Sequence, residues 1–433
     1  MEKNKDKTII IAGAGLRGLS AAHYLCKKGV SPVVFSPAKS PGGILQTVKS
    51  GENIFDVYPK NLALQSSESL KMSRELYPGG IKTICLRPVF FTEAGFKTYP
   101  ENLMSAISLL SISGSLSFLF KRFGGPDRGG SSENTLEYLA ARHIGKGLYG
   151  LFFKAFLEKM FGTPCKNLSP FLWADLGSFL VPIEQNGFLS GSNTFYSDEG
   201  PLQLTDRLFL SLKRKNTKFI FEAPLKETEI SRNTITKILA GTKDYFPDKL
   251  ILACPVYNFI NSIISLIPQN VRDASSSLRA RNLLCVNILI NAPARAGRGP
   301  VFISNPGIDA SIAHFFFNTG RNDACSGITL LYFCDSKDEL WGKTDEEIIN
   351  KALYELKTMA LAEPKLFIKA DVHRFEEALP LYEAGYEDKI NVIKNYFNQI
   401  RNIRLCDPSP VPGFVDYEMA SGIKAAKSAI ESR

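Results

Sequence analysis

Apolar positions along the chain alternate between short unbroken runs and longer stretches with helical spacing. Residues 8–12 form a β-branched apolar run that reads as a buried strand. Gly13-Ala14-Gly15-Leu16-Arg17-Gly18 interrupts it, and residues 19–28 then carry Ala21, Ala22 and Leu25 on one helical face. Gly29 ends that helix, and Val33-Val34-Phe35 reads as a second strand. Strand, glycine turn, helix and strand within about 30 residues make a βαβ unit.

Further along, residues 103–120 form an uncharged stretch of 18 positions that includes six serines and Gly114. Its length approaches that of a membrane span. The serines and the glycine favour two short helices over a pocket, or a membrane-edge, lipid-access surface. Residues 123–133 read as a loop, 135–161 as helical, 201–215 as an amphipathic helix and 218–221 as a strand. A hairpin-like segment spans 225–239, and 248–255 reads as a buried strand closing on Cys254-Pro255. Residues 282–291 and 327–334 are further strands. Thr344-Asp345-Glu346-Glu347 has the spacing of a capping box and opens a helix to 359; a last helix spans 421–430.

Composition adds boundaries to that picture. The chain has 433 residues, 44% hydrophobic and 22% charged, enough for two domains or one large elaborated one and outside the range of disordered or fibrous chains. Its 52 Lys and Arg exceed its 43 Asp and Glu, a net charge of +9. The basic residues are scattered, with no run longer than Lys213-Arg214-Lys215, so no nucleic-acid partner is expected. The eight cysteines are dispersed without a C-x-x-C pair, and there are four histidines. That usage suits reduced thiols in a cytoplasmic protein, with no metal site. Thirty phenylalanines against two tryptophans suggest a roomy apolar interior or pocket.

The candidate chemistry begins at the glycine turn. In a strand–turn–helix–strand context, G-x-G-x-x-G lets the backbone approach a pyrophosphate at the positive end of the helix. The alternative is a tight βα turn that binds nothing. The residue closing the second strand is normally acidic, to bond the ribose hydroxyls, and here it is Ser36. Gly42-Gly43 follows a few residues later and points to FAD rather than NAD.

Taken together, these segments resemble the flavin-containing amine oxidases, with protoporphyrinogen oxidase and UDP-galactopyranose mutase as relatives. The resemblance is carried by the first βα turn through Ser20-Ala21-Ala22, the Gly42-Gly43 pair, Arg87 with Tyr99-Pro100, and residues 156–174. It continues in 248–255, Ala378-Leu379-Pro380-Leu381-Tyr382 and 416–426 with Met419 and Ser421-Gly422. It spans nearly the whole chain. The chain departs from the family pattern at Ser36, Ser40-Pro41, Tyr58-Pro59-Lys60, Pro201 and Cys406.

The resemblance implies an α/β fold: a FAD-type Rossmann domain, glutathione-reductase-like, with an inserted mixed α+β substrate domain. The Rossmann part is expected from residues 1–85, 200–258 and 385–433, and the substrate part from 86–199 and 259–384. The implied cofactor is FAD. Gly13, Gly15, Leu16, Arg17, Gly18, Ser36, Gly42, Gly43, Leu225, Asp407 and Met419 would bind it, and Lys60 is the catalytic candidate beside the ring. The Phe90-Phe91, Phe152-Phe153 and Phe315-Phe316-Phe317 clusters are candidates to line a substrate cavity, with core packing as the alternative. The implied function is an oxidoreductase acting on an apolar or cyclic small molecule. Two alternatives stay open. One is a redox-neutral mutase acting on a nucleotide sugar, clamped by arginines such as Arg87, Arg281, Arg321 and Arg374. The other is a degenerate flavoprotein fold serving as a non-catalytic binding protein. A cytoplasmic location is expected, with peripheral membrane association on the cytoplasmic face as the accompanying possibility.

Overall fold

The computed structural model describes residues 8–50, 53–58, 66–77, 82–86, 89–100, 103–110, 135–173, 192–196, 203–292, 300–317, 326–407 and 415–431. Two sheets organise it. In chain order their strands are β1 (Ile9–Ala12), β2 (Val33–Phe35), β3 (Val89–Thr92), β4 (Gly95–Thr98), β5 (Lys218–Ile220) and β6 (Lys249–Leu252). They continue with β7 (Ala280–Ile290), β8 (Pro300–Ile303), β9 (Ile312–Phe317), β10 (Ser326–Cys334), β11 (Phe367–Pro380) and β12 (Ile403–Leu405). The principal helices are α1 (Leu16–Lys27), α2 (Ser67–Leu76), α3 (Leu103–Leu109), α4 (Leu136–Ile144) and α5 (Ala155–Phe161). After them come α6 (Leu204–Arg214), α7 (Asp345–Thr358), α8 (Tyr386–Asn398) and α9 (Val415–Glu431).

The first sheet has five strands in the order β12-β6-β1-β2-β5, all parallel. Parallel strands are covered on both faces, so they read as unbroken apolar runs rather than alternating ones. Ile10, Leu250 and Leu252 pack on one side with Phe259 and Phe397, while Ile9, Ile11 and Ile251 join α1 and α9 on the other. The chain therefore builds this sheet from positions 9–35, 218–220, 249–252 and 403–405.

The second sheet has seven strands in the order β11-β7-β10-β9-β8-β3-β4, antiparallel except where β8 meets β3. Leu284, Val286 and Ile288 of β7 pack beneath α7, against Ile348, Ala352 and Leu356, while Leu283 and Cys285 face the main core. The mixed α/β architecture of a parallel sheet joined to a second, mixed sheet agrees with the fold expected from the sequence.

Several expected elements shift by a few residues. The last helix starts at Val415 rather than 421. The helical stretch 135–161 breaks at Gly145, whose φ is 82°, and continues through a π-turn at Tyr149–Lys154 into α5. The capping box forms as expected, with the Thr344 hydroxyl accepting from Glu347 N–H and the Glu347 carboxylate accepting from Thr344 N–H. Among the described residues no helix is long and apolar enough to cross a membrane. Of the uncharged stretch, Leu103–Leu109 is helical, while 111–120 and the loop 123–133 lie outside the described residues.

Candidate functional site

Ligands of open parallel sheets bind in the crevice beyond the carboxyl ends of the strands. A cavity of about 790 Å³ opens there. It is walled by the residues that follow β1 (Gly13 to Arg17), β2 (Ser36 to Ala38), β6 (Ala253 to Val256) and β12 (Cys406). Gly42 to Leu45, Leu278, Arg279, Trp341, Glu418, β11 at Arg374 to Ala378 and Pro380, and Tyr386, Ile390, Ile393 and Lys394 of α8 add to the wall. The volume lies in the upper part of the roughly 300–1,000 Å³ range of small-molecule sites.

The glycine turn is shaped for close approach. Gly13 leaves β1 with φ 119°, a left-handed conformation that a side chain disfavours, and its N–H donates to the Phe35 carbonyl at 2.8 Å. A Cβ on Gly18 would stand 1.8 Å from the Gly13 carbonyl oxygen, so only glycine lets α1 pack on this turn. A Cβ on Gly15, the residue capping α1, would meet nothing within 4 Å. The turn thus leaves free space at the positive end of a 12-residue helix that no side chain caps. Gly42 closes the cradle, its N–H donating to the Ala14 carbonyl at 2.8 Å.

The end of β2 is built differently from the usual acidic ribose clamp. The Ser36 hydroxyl accepts from Ala38 N–H at 3.2 Å, and the Ser36 carbonyl accepts from Ala223 N–H at 3.0 Å. Ser36 stabilises its own turn and lines the cavity without a charge.

The charges in the wall are arranged in pairs. Arg17 Nε lies 2.7 Å from Glu418 Oε2 in the first turn of α9. Arg279 pairs with Glu383 at 2.5 Å, Arg374 with Asp345 at 2.5 Å and Lys394 with Asp407 at 2.8 Å. Burial works against the Arg17 charge, but Glu418 outweighs it and the guanidinium titrates above its ordinary value. Burial also pushes the thiols of Cys254 and Cys406 up to about 11 and about 12, so both stay protonated.

The sequence profile of the flavin-containing amine oxidoreductases matches residues 17–430. The chain belongs to that family. Family membership makes FAD its cofactor. No curated protein sequence matches the chain significantly. Among solved structures, a protein from Exiguobacterium sp. 255-15 described as a protoporphyrinogen oxidase is 15% identical, with 99% of each chain covered and a TM-score of 0.73. Reduced UDP-galactopyranose mutase is 13% identical over 98% of this chain and 96% of that one, with a TM-score of 0.77. Cyclohexylamine oxidase from Brevibacterium oxydans IH-35A is 14% identical over 98% and 99%, with a TM-score of 0.66. At these identities the likeness is one of fold.

The residues present suit a dinucleotide. The space beside Gly15, the helix end and the cavity beyond are what a diphosphate and its two attached rings require. Of the candidate residues, Gly13, Gly15, Leu16, Arg17, Ser36, Gly42 and Gly43 line the cavity together. Gly18, Leu225, Asp407 and Met419 are not among the lining residues. Gly18 acts by packing, Met419 is fully buried in the core, and Leu225 packs against the hydrophobic layer of the first sheet. Asp407 binds Lys394 and Lys424 and is held below its ordinary value: burial opposes this, and the lysines prevail. Lys60 lies outside the described residues, as do Arg87, Pro201 and Arg321.

For the phenylalanine clusters and the arginines, the described residues take the structural alternative. Phe90, Phe152 and Phe153 pack edge-to-face on one another as core, and none lines the cavity. The side chains of Phe315–317 lie outside the described residues. Arg281 is buried, donating to the Phe333 carbonyl and to Asp338, and Arg374 is tied to Asp345, so both are engaged in structure. Sequence reasoning missed Glu418, Trp341, Tyr386 and the Glu376-Glu377 pair as cavity residues. For Glu376 and Glu377 the physical cause is a bulge, with three residues of β11 standing opposite Asn282. No local pattern in the sequence marks such a register break.

Proposed function

We propose that this protein is a FAD-dependent oxidoreductase of the oxidase type, taking a hydride from an apolar or cyclic small molecule. The observation that carries the reading is the joining of a dinucleotide cradle and a largely apolar wall in one cavity. Gly13, Gly15, Gly42, Gly43 and Ser36 would hold the cofactor, while Leu278, Trp341 and Phe375 offer apolar surface to a substrate ring. The bound flavin supplies the two-electron acceptor, which no amino-acid side chain provides. The protein's part is to orient the substrate and to keep water out, and a cavity walled by Ile44, Leu45, Val256 and Ile393 suits that. Lys60 is the candidate for charge stabilisation, since a fixed ammonium steadies developing negative charge in a site of low dielectric. The mutase reading is less well supported, because Arg281 and Arg374 are occupied by Asp338 and Asp345.

The test is anaerobic mixing of the FAD-loaded protein with cyclic amines and a porphyrinogen. Bleaching of the flavin absorbance, with peroxide formed when oxygen returns, is expected. If none of these donors bleaches it, and dithionite-reduced protein instead rearranges a nucleotide sugar, the oxidase reading is wrong.

A further inference from the structure

Among the described residues, four basic side chains line the cavity: Arg17, Arg279, Arg374 and Lys394. Three of them belong to the side built by residue 279, β11 and α8, and each is neutralised by a carboxylate of its own surroundings, Glu383, Asp345 or Asp407. Arg17 differs in place. It is the second residue of α1, inside the glycine turn itself, between Gly15, where a side chain would meet open space, and Gly18, where none fits. No acidic residue occupies the first turn of this helix.

Arg17 is also held. Its Nε is fixed by Glu418 at 2.7 Å, and the side chains are 15% and 13% exposed. α9 presses directly on this turn, since a Cβ on Gly422 would stand 2.1 Å from the Arg17 carbonyl oxygen. The neighbouring thiols of Cys254 and Cys406 are protonated and add no negative charge. A guanidinium carries five N–H donors in a planar fork, so an arginine held at Nε still has terminal N–H groups of the geometry that grips phosphate in a bidentate way.

At the other end of the site Ser36 offers no charge, and its hydroxyl is engaged with Ala38. The nucleotide would therefore be held mainly at its diphosphate. We propose that Arg17, positioned by Glu418, is the side chain that binds the dinucleotide diphosphate in this protein, in place of a ribose-gripping carboxylate. The proposal rests on the FAD-dependent reading above.

The experiment compares wild type with Arg17→Met, and with Arg17→Met/Glu418→Gln, which leaves no carboxylate buried alone. Binding of FAD, ADP and adenosine to the flavin-free protein is measured by calorimetry and flavin fluorescence at two salt concentrations. Loss of a charge-assisted contact predicts about tenfold or weaker binding of FAD and ADP in both variants, with adenosine unaltered. The salt dependence of ADP binding should become shallower. Equal ADP affinity in wild type and both variants overturns the role of Arg17 while leaving the FAD reading intact. If wild type binds neither FAD nor ADP, both fall together. A loss of adenosine binding that matches the loss of ADP binding would mark general damage to the fold and also overturns the proposal.

Discussion

At the residue scale, the glycine turn was legible because every determinant of it lies within six consecutive positions. A tight turn and a close helix–strand approach need glycine locally, whatever the rest of the chain does. Glu418 was not legible, because its role comes from α9 docking on α1 some four hundred positions away. Gly18→Ala is expected to cost about 1–3 kcal/mol, since its Cβ would stand 1.8 Å from a backbone oxygen, and to lower flavin retention. Thermal melting and the flavin-to-protein absorbance ratio measure both effects, and a variant as stable and as yellow as wild type would refute the packing argument. His23 sets a pH dependence. Burial lowers its pKa and outweighs the Glu75 contact at 3.2 Å, so the folded protein keeps it neutral where the unfolded chain protonates near 6.5. Its contribution to stability is complete above about pH 6.5 and declines as the pH falls below that value. Urea melts at pH 8 and pH 5.5 should differ less in His23→Gln than in wild type.

At the element scale, the apolar runs of the first sheet announced themselves, and strands such as β1, β2 and β6 fall where the pattern put them. β11 gave little signal. It is an edge strand whose residues are mostly exposed or half-buried, so no apolar run marks it. The phenylalanine clusters left two readings open for a related reason: composition reports how many rings there are, not which surface they cover. Between α5 and α7 lies a polar knot that no pattern foretold. Lys159 Nζ donates to the carbonyls of Asn305, Ile308 and Ala310 at 3.1, 2.8 and 3.0 Å. Burial pulls its pKa down to about 7, while Glu355 and Asp309 oppose that shift. Glu355, itself buried, accepts from Asp309 N–H, Ala310 N–H and the Tyr332 hydroxyl. Removing a buried, fully bonded carboxylate leaves its partners uncompensated, so Glu355→Ala should destabilise by about 3–5 kcal/mol. A urea midpoint within error of wild type would show that the knot contributes little.

At the scale of the whole molecule, length alone suggested consecutive domains, whereas the first sheet collects strands from four separated stretches of chain. Parallel pairing permits this, because each crossover can be as long as the insertion it carries. The described residues do not place the net charge of +9 in the cavity, where Arg17, Arg279, Arg374 and Lys394 line the wall. Four carboxylates pair with them, so the charge count by itself says little about ligand. What the molecule assembles is a cradle at the carboxyl edge of a parallel sheet, and FAD is the ligand it should hold. The most direct measurement is the flavin content of the purified protein after incubation with FAD and removal of the excess. One FAD per chain, released on denaturation and absent from a Gly18→Val variant, is the expected result; protein that stays colourless, or binds flavin equally well with Gly18 replaced, would contradict it.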